Sequence, residues 1–343
     1  MQLSYSGGFK EAADTVAELE KAGLDLVWVA EAYGFDAASL MGYIAAKTET
    51  VQIASGILPI YTRTPTLLAM TAAGVDALSD GRCQLGLGAS GPQVIEGWHG
   101  VKYDAPIGRT REIIDVCREV WRREDKLTHQ GRYYNMPLPE GEGTGLGKPL
   151  KIIAHPVRPQ IPIWVASLGP KNVQMTAEVA DGWMPILFDP AKASHVWGED
   201  LAIGHAKRNE SLGTLQITAG GLVAIGDDVK GLLKFVRPMV ALYVGGMGAR
   251  GKNFYNSLFQ RYGYEAEAKE IQDLYLDGKK KEAAALIPQE FLEAISLCGP
   301  EGYVKERIAE FAAAGVTHLN VIPVPTGDQT PASIVTMLKE WTA

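Results

Sequence analysis

The chain has 343 residues, of which 46% are hydrophobic and 21% charged, and its net charge is −7. This supplies ample apolar material for a core, and the acidic balance excludes a sequence-independent nucleic-acid binder, whose affinity rests on basic contacts to phosphates. No stretch approaches the roughly 18 uninterrupted apolar residues of a membrane span, and the opening MQLSYSGGFKEAAD lacks the basic start and apolar run of a leader, so the expected compartment is the cytoplasm.

Taken in chain order, apolar and β-branched runs predict eight strands, at 3–6, 25–30, 51–57, 82–87, 161–167, 182–187, 216–225 and 317–323. LDLVWVA and IPIWVAS are hydrophobic almost throughout, which suits parallel strands buried on both faces. Amphipathic helices fall between them. In TPTLLAMTAAGVDALSDG, Leu68, Ala72, Val75 and Leu78 share one stripe; in TREIIDVCREVWRRE, Ile113, Val116, Cys117, Val120 and Trp121 do. Strands alternating with helices eight times over predict an α/β fold, a (β/α)8 TIM barrel. A weak internal echo agrees: VAELEKAGLDLVWV and IAEFAAAGVTHLNV each read as helix, Ala-Gly stop and strand, with Gly23 and Gly315 placed to end the helices in the left-handed conformation.

Two gaps between strands are long. The first, about 125–160, contains QGRYYNMPLPEGEGTGLGKPLK and reads as an irregular excursion with a short hairpin. The second, about 226–299, is helical in pattern. Neither is bounded by a low-complexity linker. The expected organisation is therefore one barrel domain over 1–343 with two insertions, which beside the C-terminal face of a barrel shape the substrate pocket.

GLGASG, at 86–91, satisfies G-x-G-x-x-G after a strand. A dinucleotide site further needs a helix opening at the third glycine and an acidic residue ending the next strand. No helical pattern is expected here before about Arg109, and Asp115 falls inside that helix. The other reading is a glycine-rich turn atop a barrel strand, whose backbone N–H groups and Ser90 hydroxyl face a phosphate. A second small-residue turn, ASLGPKN at 166–172, opens a helix near Pro170 and offers the same chemistry; taken alone it is an ordinary strand-to-helix loop.

Conventional catalytic groups are sparse. The six histidines show no metal-ligand spacing, and three scattered cysteines make neither a disulfide framework nor a metal site. Cys83 falls in a strand and Cys117 on a buried helix face, so neither reads as a nucleophile. There is no G-x-S-x-G elbow and no P-loop lysine. Such a chain leaves the chemistry to a cofactor. Glu31, directly after VWVA, sits at the mouth of the second strand, where barrels place functional groups; its plainer roles are arginine partner or helix cap.

The stretches WVAEAYGFDA, SGILPIYTRTPTLLAM, LGLGASGPQVIEGWHG, EGTGLGKPLK, GPKN, ADGWMP and LYVGGMG resemble the bacterial luciferase-like superfamily, in its branch of coenzyme F420-dependent oxidoreductases. The resemblance covers essentially the whole chain and implies a barrel with insertions, a deazaflavin coenzyme (FMN in the sister branch) and hydride transfer to or from a small organic substrate. It implies a non-prolyl cis peptide at Gly56–Ile57, with Ser55 before it, backing the ring of the coenzyme. It implies phosphate-binding turns at Ser90, Gly91, Pro92 and Gln93 and at Ser167, Leu168 and Gly169, an acidic residue at Glu31 that binds the coenzyme and takes part in catalysis, and a homodimer. Several relatives carry a histidine after that acid; here Ala32 stands there, followed by Tyr33 as a substitute donor. The alternatives are an FMN-dependent monooxygenase, a coenzyme-binding protein without turnover, and a phosphate-handling aldolase or isomerase, for which Lys171 is the one lysine close after a strand.

Overall fold

The computed structural model describes residues 1–3 and 8–342. The strand expected at 3–6 thus lies, apart from Leu3, outside the described residues. Gln2 forms a parallel bridge with Trp28, and the Leu3 N–H donates to Trp28 O at 2.9 Å. The remaining strands are β1 (Leu26–Val29), β2 (Gln52–Ser55), β3 (Leu58–Pro59), β4 (Cys83–Gly88), the hairpin pair β5 (His129–Gln130) and β6 (Asn135–Met136), β7 (Ile163–Val165), β8 (Gly182–Trp183), β9 (Gln216–Ile225), β10 (Leu297–Gly299) and β11 (His318–Pro323). Parallel pairing runs β1-β2-β4-β7-β8-β9, with β10 and β11 both on β9 and β3 on β4. This is a (β/α)8 barrel, as the alternation predicts.

Most differences lie at boundaries. The run at 182–187 shortens to β8, and Leu187 turns left-handed at φ +56°. β10 appears inside the second insertion, where the sequence reads as helix; three residues between two helices carry no period of their own. Gly23 and Gly315 adopt φ +99° and +90°, as expected of helix stops. The helix Pro65–Leu78 buries Leu68, Ala72 and Val75, but Leu78 is exposed. Asp76 is buried in its place, because Arg158 reaches it at 2.8 Å and the Cys83 N–H donates to it at 3.1 Å. The helix Pro106–Arg122 buries the whole expected stripe from Ile113 to Trp121.

The main core lies between strands and helices. A smaller cluster fills the bore: Leu26, Trp28, Ala54 and Trp164, with Met184 packed on it. Trp28 and His318 both meet Trp164 edge to face at 5.2 Å. Gly182 makes this filling possible, since a Cβ there would stand 2.1 Å from the Trp164 ring. Trp164 Nε1 donates to Gln84, which in turn donates to Gln52, so the polar atoms around Trp164 are paired, whereas Thr218 Oγ1 on β9 and Asn320 Oδ1 on β11 are buried without a partner among the described residues.

In the first gap, β5 and β6 form the antiparallel hairpin, and the Glu112 carboxylate pins its turn by accepting from the N–H groups of Arg132, Tyr133 and Tyr134. The second gap folds into short helices around an aromatic cluster in which Phe259 meets Tyr264 and Phe291, each at 4.8 Å. Tyr262 ties this insertion to the barrel by donating to Leu187 O at 2.9 Å. Among the described residues, no helix is long and apolar enough to cross a membrane.

Candidate active site

β4 and β7 pair in parallel, Leu85 opposite Ile163 and Leu87 opposite Val165. The two small-residue turns therefore leave the barrel side by side, although about 80 residues of sequence separate them. After β4, Ser90 takes φ +57° and swings the chain into a short helix, Pro92–Gly97, begun by Gly91. This corrects the expectation of no helix before Arg109. Six residues are too short to show an apolar period, and the next helix already starts at Pro106. The helix does not revive a dinucleotide site, because the first two glycines serve the barrel. A Cβ on Gly86 would stand 1.8 Å from Ser55 O, and one on Gly88 would stand 2.8 Å from the Ile57 side chain. The Gly56–Ile57 peptide is cis, as the resemblance implies.

After β7, Gly169 starts the helix Pro170–Val179. Neither Gly91 nor Gly169 has a side chain with which to cap its helix, and the space before each is open. The nearest atoms to an added Cβ are Gln93 Oε1 at 3.7 Å and the Phe254 ring at 3.9 Å. Beside Gly169, Asn172 Oδ1 is buried without a hydrogen-bond partner among the described residues. Uncapped helix starts with open space before them fit an anion.

Two of the expected side-chain donors are engaged elsewhere. Ser167 is 4% exposed and its hydroxyl is bonded to Thr176 Oγ1 at 2.8 Å. Ser55 is fully buried, donating to Gly86 O and accepting from Gly86 N–H, both at 2.8 Å, so it stitches β2 to β4. Leu168 contributes backbone, its carbonyl accepting from Trp197 Nε1 at 3.1 Å. Of the three expected serines, Ser90 alone keeps a hydroxyl clear of such a bond among the described residues. The donors that remain are mainly backbone.

Glu31 is not a free carboxylate. Arg63 grips it at 2.6 and 2.8 Å, and the Ala37 N–H donates to it at 2.9 Å, so both plain roles, arginine partner and helix cap, are realised at once. Arg63 also reaches Asp36 at 2.5 Å. The Glu31 hydrogen bond raises the Arg63 pKa further above neutrality. Partial burial opposes ionisation of Asp36, but the Ser39 hydrogen bonds and Arg63 outweigh it and hold that carboxyl below its usual range. Arg63 also lines a cavity of about 380 Å³ with Tyr61, Lys102, Asp104, Arg109 and Tyr134. None of the residues of the two turns lines that cavity. The sequence gives no spacing signal for it, since its wall joins the segments 60–64, 101–109 and 134.

Tyr33 is 65% exposed, and its ring lies 6.3 Å from that of Trp98. Among the described residues, no cluster of three His, Cys, Asp or Glu side chains is placed to hold a metal. Burial pushes the thiols of Cys83 and Cys117 far up and that of Cys298 up to about 12, so none is a ready nucleophile. Burial also holds His318, in the bore, below the usual imidazole range.

Known proteins share this fold. A family model of luciferase-like monooxygenases matches residues 1–318. A Mycobacterium tuberculosis protein that carries the name coenzyme F420-dependent oxidoreductase is 42% identical over 326 residues, spanning 94% of this chain and 93% of the relative. Among solved structures, the coenzyme F420-dependent tetrahydromethanopterin reductase of Methanopyrus kandleri superposes with a TM-score of 0.76 at 20% identity, over 98% of this chain and 96% of that one. An F420-dependent secondary alcohol dehydrogenase in complex with an F420–acetone adduct superposes with a TM-score of 0.73 at 18% identity, over 97% and 94%.

Proposed function

The chain belongs to the luciferase-like monooxygenase family, and within it we propose that it is a coenzyme F420-dependent oxidoreductase acting on a small organic substrate. The observation that carries this reading is the pair of adjoining turns on β4 and β7, open at Gly91 and Gly169 and free of side-chain caps. The name of the 42% identical relative points to the deazaflavin coenzyme as the ligand that fits them. When bound, the coenzyme supplies hydride transfer at C5 of its ring.

The protein's own part is binding, orientation and exclusion of water. Ser90, Gly91, Pro92 and Gln93 on one turn and Leu168 and Gly169 on the other hold the phosphate, chiefly through backbone N–H groups. Ser55 and Ser167 act one step back, fixing the strand pair and the helix start. Gly56, Ile57 and Gly88 form the floor under the ring. Glu31 is a positioning residue that locks Arg63 and the loop after β1 in place. Tyr33, exposed at the mouth, supplies the hydroxyl that exchanges a proton with substrate in the position left by Ala32.

The three cysteines are free thiols, which supports the cytoplasm as the compartment. Leu67, Met70 and Leu78 are exposed along one outer face of the helix Pro65–Leu78, which supports a homodimer formed there. The test of the coenzyme is a parallel titration with F420 and with FMN, followed by tryptophan fluorescence. F420 binding at least about tenfold tighter, a gap of roughly 1.4 kcal/mol, is the expected result. Equal or reversed affinities favour the FMN-dependent monooxygenase instead.

A further inference from the structure

Tyr33, Trp98 and Phe254 are 65%, 68% and 57% exposed, and they come from three separate segments. Tyr33 follows β1, and Trp98 follows the short helix after β4. Phe254 belongs to the second insertion and lies against the space before Gly169, at the end of β7. The Tyr33 and Trp98 rings stand 6.3 Å apart at 51°, tilted and not packed flat. Ile322 adds a fourth apolar surface. His318 points into the bore against Trp164, so strand alternation turns Ile322 into the same bore four residues nearer the mouth, where it is 44% exposed. Exposed apolar side chains scattered singly are ordinary, but several gathered at one opening mark a binding surface.

The carboxylates beside Tyr33 are already committed. The Glu31 carboxylate is closed by Arg63 and the Ala37 N–H, and Asp36 is held by Arg63; among the described residues the Lys171 ammonium meets only the neutral amide of Gln174, at 3.3 Å, and belongs to the turn after β7. An anionic substrate needs a cation left free for it, and Arg63 already serves two carboxylates. In the coenzyme reading, the N–H groups of the two turns are taken by phosphate. What the mouth leaves over is chiefly apolar and aromatic, with Asn320 Oδ1, below Ile322 on β11, a buried polar atom beside it that has no partner among the described residues.

We propose that the substrate bound at this mouth is an uncharged, apolar ring compound, held by Tyr33, Trp98, Phe254 and Ile322. The proposal rests on the coenzyme reading, which places the reacting ring below this wall. It is tested by calorimetric titration of the protein carrying oxidised coenzyme with two probes of the same ring, 2-naphthaldehyde and 6-formyl-2-naphthoate. The neutral probe is expected to bind at least about tenfold more tightly. Trp98→Ala and Phe254→Ala are each expected to weaken it by about five- to tenfold, with coenzyme affinity held within about twofold. Equal or tighter binding of the carboxylate probe overturns the proposal, as does native affinity for the neutral probe in both variants. A change of oligomeric state in the variants, read by light scattering, also overturns it, because the wall is then a subunit interface. If the wild-type chain does not bind coenzyme, the coenzyme reading fails, and the same probe pair on the protein alone still decides for or against the wall.

Discussion

The two ends of the bore are built from the same strands and have opposite characters. Lower down, Trp28, Trp164 and His318 meet edge to face, Gln84 accepts from the Trp164 N–H and donates to Gln52, and the space around Trp164 is filled. At the mouth, Gly91 and Gly169 leave helix starts uncapped, and Tyr33, Trp98 and Ile322 remain in solvent. Glycines serve both ends for different reasons. Gly86 and Gly182 admit the close approach of Ser55 O and the Trp164 ring, whereas Gly169 has nothing nearer than Phe254 at 3.9 Å. The same residue type thus marks packing where the added Cβ would collide and binding where it would meet space.

That distinction breaks most visibly at Gly86. Gly86→Ala places a Cβ against the Ser55 carbonyl, a backbone atom that cannot rotate away, so a loss of about 3 kcal/mol or more is expected in urea unfolding. A loss below about 1 kcal/mol would mean that β2 and β4 separate easily and that the packing account of this glycine is wrong. Glu31 lies at the boundary between the two regions. Glu31→Gln removes the charge that Arg63 grips and is expected to cost about 2 kcal/mol of stability while leaving coenzyme affinity nearly unchanged. Native stability with much reduced turnover would make Glu31 a direct participant in the chemistry.

The smallest effect concerns pH. Burial keeps the folded His318 ring from taking a proton that the unfolded chain accepts near pH 6.5. Below that pH the unfolded state binds more protons, so stability falls on acidification and is fully present above it. His318→Gln is therefore expected to flatten the loss of stability between neutral and mildly acidic pH. An unchanged pH profile would show that His318 is protonated equally in both states.

The fold was legible because its strands are nearly continuous apolar runs and its helices carry clear stripes. That β4 and β7 are neighbours then followed from barrel topology alone. What stayed hidden needed three-dimensional partners. Nothing in the sequence reveals that Ser167 turns to Thr176, that Ser55 bridges Gly86, or that Arg63 occupies Glu31. Asp76 replaces Leu78 in the core only because Arg158, far along the chain, neutralises it. The helix Pro92–Gly97 had one signal, proline at its first position, and no room for a period. The proposed coenzyme site was legible as glycine turns on neighbouring strands, while the proposed aromatic wall above it was not, because its members come from separate segments.

The central claim is that the turns after β4 and β7 together hold the coenzyme phosphate. Gly169→Asp tests it most directly. The backbone there is extended, at φ −74°, and the side chain would enter open space, so the fold has no reason to fail. The added carboxylate would stand where the phosphate binds. The expected result, by tryptophan fluorescence titration with F420, is an unfolding curve close to native and loss of coenzyme binding. A folded variant that binds F420 with near-native affinity would contradict the account and move the phosphate elsewhere on the barrel.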